Sequence, residues 1–542
     1  METESGSTYD AIVVGGGMAG LTAAAYLRRA GARVLLLEKE DKVGGLVGSF
    51  ERGGFTYDQG MRAVENSGIV YPMLRQLGIG LEFLPSPVSV RIGGDMVRLD
   101  SRSSLDDYRG LLARTFPGSA AGVDRIVAEV ARVMEYMDVL YGIDNPLFLD
   151  DMTDMTYMRK TLLPWLVRYM LTMPKVARLR GSVEDRLAEL TTDRALVDLV
   201  AQHFFKKTPA YFALSYFSLY LDYRYPRGGT GVLPARLRSY IEERDGEVMT
   251  GARVAGLDWR GRRIRLADGR NYGYRKLVWA ADQKTLYRLA GAEGLPRSAG
   301  RAGRRVERQA ALAAASAGGD SVFTLDLALD LEPARWAEAA GPHLFHTPTA
   351  DGLSRMDIRD IRTASDGSYT DDWDAIHAWT RRYLDLTTYE ISCPVLRDPT
   401  LAPPGKTGLI VSSLMEHSLF AHARAAGRYD ELKRLCADRM VDVLDASLLT
   451  GLKAAVIDSF VSTPLTIEEL SGNADGAITG WAFTNPVMPA ESRLPSIARS
   501  VLTPIPDVYQ AGQWTFSPSG MPISLLTGKL AADRVAKDLR RT

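Results

Sequence analysis

Cysteine is almost missing: Cys393 and Cys436 are the only two in 542 residues. A disulfide framework is therefore excluded, and a reducing, cytoplasmic setting is expected. Histidine is scarce as well. The six (His203, His343, His346, His377, His417 and His422) form no H-E-x-x-H pattern, and the cysteines lie far apart, so no metal site is expected. His343 and His346 are three apart, but they read as part of a Pro/Gly loop without partners. There is no uninterrupted apolar run of about 18 residues, so no spanning helix is expected. The opening METESGSTYD has no apolar signal core. Net charge is also lacking, with 66 Lys+Arg against 66 Asp+Glu, so no global field draws the chain to nucleic acid. Gly405-Lys406-Thr407 hints at a phosphate loop, but Thr400 stands where that motif needs glycine.

What is present is an ordinary globular composition with 50 glycines, in a chain too long for one hydrophobic core. Residues 9–14 and 33–38 read as buried strands flanking a helix at 18–30, a βαβ unit. Long helices are expected over 120–141, 157–180 and 194–222. A helix at 234–245 leads to a strand at 248–258, a hairpin at 262–272 turning at Asp268-Gly269, and a strand at 276–281. Residues 297–308 read as a basic loop. Strands recur at 320–328 and 408–414, helices at 369–383 and 426–448, and the chain closes with strand 507–511 and helix 519–540.

The central motif is Gly15-Gly16-Gly17-Met18-Ala19-Gly20, which satisfies G-x-G-x-x-G. Gly15 permits the tight turn after the strand, Gly17 lets backbone approach a pyrophosphate, and Gly20 lets helix and strand pack closely. The helix start offers unpaired N–H groups and the positive end of its dipole. The second strand ends in Glu38, at the spacing that places an acid on a ribose hydroxyl.

Glu38-Lys39, then Gly44-Gly45, then FERGGFTYDQGMRAV at 50–64 with Phe55, Asp58 and Gly60, resembles the phytoene desaturase and amine oxidase superfamily of FAD oxidoreductases. The stretch Asp507 to Trp514, followed by Ser519-Gly520-Met521-Pro522 and a helix, resembles that family's closing element. Arg253-Val254 and Ala280-Ala281-Asp282 resemble two further family segments. YPRGGTG at 225–231, DPTLAPPGK at 398–406 and TPLT at 463–466 are similar to carotenoid desaturases, carotenoid isomerases and retinol-saturase-like proteins. Many relatives carry arginine after the Gly-Gly pair; here Leu46 follows, which leaves phosphate neutralisation to backbone or to another cation such as Arg52.

The resemblance implies an α/β fold in which an FAD-binding, Rossmann-like domain of the amine-oxidase type is interleaved with an α+β substrate domain. The expected FAD-binding segments are 1–103, 231–300 and 486–542. Residues 104–230 would form a helical substrate- or membrane-facing insert, and 301–485 the substrate domain. FAD would be bound non-covalently by Gly15, Gly17, Met18, Ala19, Gly20, Glu38, Lys39, Gly44, Gly45, Gly60, Met61, Arg62, Val254, Ala281, Gly512, Gly520, Met521 and Pro522. The implied chemistry is hydride exchange with flavin N5 at carbon–carbon bonds of an apolar isoprenoid or polyene: desaturation, saturation or isomerisation. Orientation in an apolar tunnel would then supply most of the catalysis.

Arg62, Tyr225 and Trp514 are the candidate reacting-site residues. Arg224 and Arg227 either hold a substrate head group or tie the domains together. Glu416-His417 after a strand is a candidate acid–base pair, against the plainer reading of a structural histidine. The aromatic stretch 204–225 suits an apolar site or an ordinary core. Residues 158–180 hold six Lys/Arg and no Asp/Glu among Leu, Trp, Tyr and Met, a pattern that lies on an anionic membrane surface or packs on its own protein with a solvated basic face. Two rivals stand beside this reading: a flavin amine oxidase acting on a polar amine, and a non-catalytic flavoprotein. The electron acceptor is not legible.

Overall fold

A computed structural model describes residues 7–150, 155–292, 300–363 and 367–541. Two seven-stranded sheets organise it. The first is centred on Thr8–Val14, which pairs in parallel with Val34–Leu37 on one side and Asn271–Trp279 on the other. Glu247–Met249 extends it beyond Val34–Leu37. Beyond Asn271–Trp279, Val508–Gln510 pairs in parallel with the C-terminal half of that strand, and the Val254–Asp258/Arg263–Leu266 hairpin pairs antiparallel with its start. The inner strands are apolar on both faces because helices cover both. Helix Met18–Arg29 is buried along most of its length and packs against Met521–Leu539 at the far end of the chain. Gly528 explains the closeness: a Cβ there would lie 2.4 Å from the Ala19 carbonyl oxygen.

The second sheet runs in the order Val456–Ser462, Ser321–Leu329, Thr407–Met415, Tyr389–Ser392, His343–Thr347, Val88–Ile92 and Asp95–Leu99. All its pairs are antiparallel except His343–Thr347 with Val88–Ile92. One face packs on helices Trp373–Leu386 and Tyr429–Ser447, with Phe323, Leu325, Leu327, Leu409 and Val411 in the core between. A helical layer built from Ser104–Thr115, Ala120–Tyr141 and the segments through Leu221 shares a core with strands Val88–Ile92 and Asp95–Leu99.

Several expectations are corrected. Strands Val88–Ile92 and Asp95–Leu99 fall inside the 1–103 segment expected to be wholly nucleotide-binding, yet they pair into the second sheet. The single strand at 248–258 is two strands on opposite sides of the first sheet, separated by Gly251 at φ +62°. The 194–222 helix is Arg194–Ala201, Ala210–Ala213 and Tyr216–Leu221, interrupted by Lys207 at φ +58° and Pro209. The 157–180 helix contains a π-helical turn at Met158–Leu162 before Leu163–Ala177, with Pro164 harmless in the first turn and Pro174 within. Residues from Gly300 on belong to helix Gly300–Ala315 rather than a loop. His343 and His346 sit in a buried strand, where an odd spacing sends them to opposite faces.

Candidate active site

A cavity of about 960 Å³ runs from the first sheet's nucleotide cleft to the inner face of the second sheet. This is the upper end of the range for ligand sites. At the cleft end, Gly15 turns the chain at φ +102°, where a Cβ would lie 2.6 Å from the Ala280 carbonyl oxygen. Gly20 closes the same corner, since its Cβ would fall 1.8 Å from the Gly15 oxygen. A Cβ on Gly17 would meet nothing within 4 Å, and Gly17 lines the cavity; its open side is the room a diphosphate needs beside the helix start. Across from it Gly44 donates its N–H to the Gly16 carbonyl at 2.8 Å, which holds Gly45 against Gly17.

Glu38 is positioned by backbone. Its Oε2 accepts from Gly16 N–H at 2.6 Å and its Oε1 from Glu40 N–H at 2.9 Å. A carboxylate has about four acceptor sites, so lone pairs remain for a sugar hydroxyl. The cradle fits a dinucleotide.

Of the expected cofactor residues, Gly15, Gly17, Met18, Ala19, Glu38, Lys39, Gly44, Gly45, Gly60, Met61, Arg62, Val254, Ala281, Gly512, Gly520 and Met521 line this cavity. Gly20 and Pro522 do not: both serve packing, Gly20 at the strand–helix corner and Pro522 inside the first turn of the closing helix. Arg52 is a surface partner of Asp458 at 2.7 Å and is not on the lining; Lys42, Arg253 and Arg288 are cations that are.

Of the candidate reacting residues, Arg62 and Trp514 line the cavity and Tyr225 does not. Tyr225 is fully buried, donates its hydroxyl to Asp58 Oδ2 at 2.8 Å, and lies under the Arg397 guanidinium, 4.1 Å from the ring centroid. Asp58 also accepts from Thr230 and Ser49, so this tyrosine belongs to a strut between chain segments. Arg227 pairs with Glu82 on the surface. The Glu416-His417 pair is split: Glu416 bonds Lys206, and His417 bonds Glu468 at 2.9 Å, both away from the cavity. Trp514 donates to Asn473 at 3.1 Å and meets Trp481 edge-on at 4.8 Å.

The far end holds residues that motif reading missed: Glu65, Thr324, Asp326, His343, Glu390 and Ser412. Arg62 donates to Ser412 Oγ at 3.0 Å, which is 2.9 Å from Thr324 Oγ1. His343 Nε2 is 3.1 Å from Glu390 Oε1, at an angle poor for a hydrogen bond. Burial pushes the Asp326 carboxyl up to about 7, against the pull of Arg62. Burial, helped by Asp222, also pushes Glu65 up to about 7. Glu390 goes the other way: burial opposes its ionisation, but His343, Arg62 and Arg397 outweigh that and hold it below the usual carboxylate range. Burial lowers His343, against the pull of Glu390. A trace was visible in sequence, for FTLDL at 323–327 alternates and puts Thr324 and Asp326 on one face.

Tyr216, Leu219 and Tyr223 from the aromatic stretch complete the chamber. A second cavity of about 170 Å³, lined by Phe204, Phe205, Phe212 and Tyr220, adjoins it and shares Tyr216, Tyr223, Glu390 and Ser412.

A glycine-lined cleft on the first sheet thus opens into a chamber on the second. The chain belongs to the flavin containing amine oxidoreductase family, whose pattern it matches over residues 18–338. It is therefore a flavin oxidoreductase. It is 24% identical to prolycopene isomerase 1 of an Oncidium hybrid cultivar, covering 99% of this chain and 85% of that protein. It is 25% identical to the phytoene dehydrogenase of Streptomyces griseus, over 99% and 96% of the two chains. Among solved structures, it resembles cyclohexylamine oxidase from Brevibacterium oxydans at 15% identity and a TM-score of 0.56, covering 98% and 100%. A putrescine oxidase gives 14% identity and a TM-score of 0.59 over 99% and 100%. At these identities the structures speak for the fold.

Proposed function

We propose that this flavin is FAD, held non-covalently, and that the enzyme desaturates, saturates or isomerises a carbon–carbon bond of an apolar isoprenoid. The observation that carries this reading is the chamber walled by Tyr216, Leu219 and Tyr223 that continues from the cofactor cleft. Relatives spanning nearly the whole chain are named for carotenoid desaturation and isomerisation, which agrees with it. In this scheme the segments of the first sheet form the nucleotide-binding part and those of the second sheet with the helical layer form the substrate part.

When bound, flavin supplies hydride exchange at N5. The protein's own share is to hold the diphosphate at the helix start, to grip a ribose through Glu38, and to exclude water with aromatic walls. Met61 and Arg62 on one side and Trp514, Gly520 and Met521 on the other would border the ring. The closing helix points its N-terminus at that region, and its dipole favours negative charge there. Trp481 does not line the cavity, so the Trp481–Trp514 pair presents one aromatic face rather than the two walls of an amine cage.

The surface supports a route for the substrate from lipid. Leu163, Leu166, Val167, Met170 and Leu171 are exposed on helix Leu163–Ala177, Leu171 at 67%. Arg159, Lys160, Arg168 and Lys175 are exposed beside them. This is the pattern of a helix lying in an anionic lipid surface. No helix among the described residues is long and apolar enough to cross a membrane. Helix Leu163–Ala177 packs on Ala120–Tyr141, where Trp165 donates to the Val139 carbonyl at 2.6 Å.

Anaerobic titration of the purified flavoprotein tests the proposal. A carotenoid-type polyene in micelles should perturb or bleach the flavin band, and primary amines should not. Bleaching by amines alone would replace this reading with an amine oxidase. No response to either panel would point to a non-catalytic flavoprotein.

A further inference from the structure

The wall of the chamber is more polar than a pure hydrocarbon ligand requires. On strand Tyr389–Ser392, Tyr389 and Ile391 enter the apolar core, while Glu390 faces the cavity. Register places Glu390 opposite Ser412 and Ser412 opposite Thr324, so a polar row crosses three strands on the cavity face. Glu390 is enclosed by protein, yet its side chain is 37% accessible. The two observations agree once its surroundings are counted: it borders both the main cavity and the aromatic one, and its accessible surface faces ligand space. Beside it His343 is fully buried, meets the Tyr223 ring at a tilt with 5.3 Å between centroids, and has no hydrogen-bond partner at either ring nitrogen, Nε2 lying 3.1 Å from Glu390 Oε1.

A hydrocarbon seated here would strip water from an ionised carboxylate and a buried imidazole and return no hydrogen bond. An added anion would face Glu390 itself. An added cation would compete with Arg62 and Arg397, whose charges already act on Glu390. A neutral group that both donates and accepts meets neither objection. We propose that the substrate is an isoprenoid bearing a hydroxyl group, which donates to Glu390 at the junction of the two cavities, and that His343 positions this carboxylate. The proposal deepens the isoprenoid reading above and rests on it.

The test is a matched pair of probes, geranylgeraniol and its deoxy hydrocarbon, titrated in micelles into the anaerobic holoenzyme while the flavin band is followed. A hydrogen bond to a charged acceptor is worth about tenfold or more in affinity, so the alcohol should bind at least about tenfold more tightly than the hydrocarbon. Glu390→Leu should bring that preference below about threefold. Should this variant lose flavin, Glu390→Gln keeps shape and removes charge, and should lower the preference several-fold. His343→Gln should lower it less. Equal binding of the two probes by the wild-type enzyme, or a preference unchanged in the Glu390 variants, overturns the hydroxyl subsite while leaving the isoprenoid reading intact. A response to primary amines with none to either isoprenoid overturns both.

Discussion

The two sheets of this enzyme present different groups to the cavity between them. The first presents backbone: glycines clear space, a helix start supplies N–H groups, and one carboxylate is fixed by two amides. The second presents side chains, with an apolar face buried against helices and a polar face turned to the chamber. A shared cofactor can be held by geometry that tolerates little change. A particular substrate must be recognised by groups that evolve strand by strand, without disturbing the core on the other face.

The sharpest way to break this contrast is at Gly17. Gly17→Val puts bulk into open space, so the apoprotein should melt near the wild-type temperature while flavin affinity falls at least about a hundredfold, roughly 2.7 kcal/mol. Flavin content by absorbance after gel filtration measures it, and retained yellow protein would show that the diphosphate lies elsewhere. Gly15→Ala should differ, unfolding more easily by about 2 kcal/mol, because φ +102° and the Ala280 carbonyl both oppose a side chain.

On the chamber side the expected effect depends on pH. Glu65 has a folded pKa of about 7, above its unfolded value near about 4.3. The native state therefore binds more protons in that interval, and stability relative to a Glu65→Gln variant is fullest below the unfolded pKa and declines as pH rises toward 7. The total is on the order of 4 kcal/mol. Melting curves of both proteins across this range read it; a constant gap between them would mean the carboxyl titrates normally.

Smaller effects separate strut from site. Tyr225→Phe removes one hydrogen bond to Asp58, which keeps other donors, so stability should drop by about 1 kcal/mol with turnover within about twofold. A turnover loss beyond tenfold at unchanged stability would return Tyr225 to the reaction. Smallest in stability terms is Leu171→Glu, within about 0.5 kcal/mol because the side chain is exposed. It should nevertheless weaken sedimentation with anionic vesicles several-fold; unaltered co-sedimentation would detach the helix from the membrane.

The geometry of the glycine-rich half was readable in advance because it is set by nearby residues. Gly15 to Gly20, Glu38 and Gly44-Gly45 meet through local turns and the main chain, and spacing alone conveys that. The basic, apolar character of the 158–180 stretch was equally plain, although its π-helical turn was not. Tyr225 misled because it neighbours a family motif, and only its bond to Asp58 reveals a strut. His343, dismissed as a loop residue, and Glu390 lie on neighbouring antiparallel strands and meet only when the sheet forms.

The amino-acid sequence by itself determined the family, the glycine-lined turn and the alternation along strands such as Ser321–Leu329, since these rest on local conformation and periodicity. Only the tertiary structure decided that Glu65, Thr324, Asp326, His343, Glu390 and Ser412 face one cavity. Their burial, their altered acidities and their unpaired atoms depend on what stands across the chamber, and no local pattern encodes the neighbour that long-range strand pairing brings.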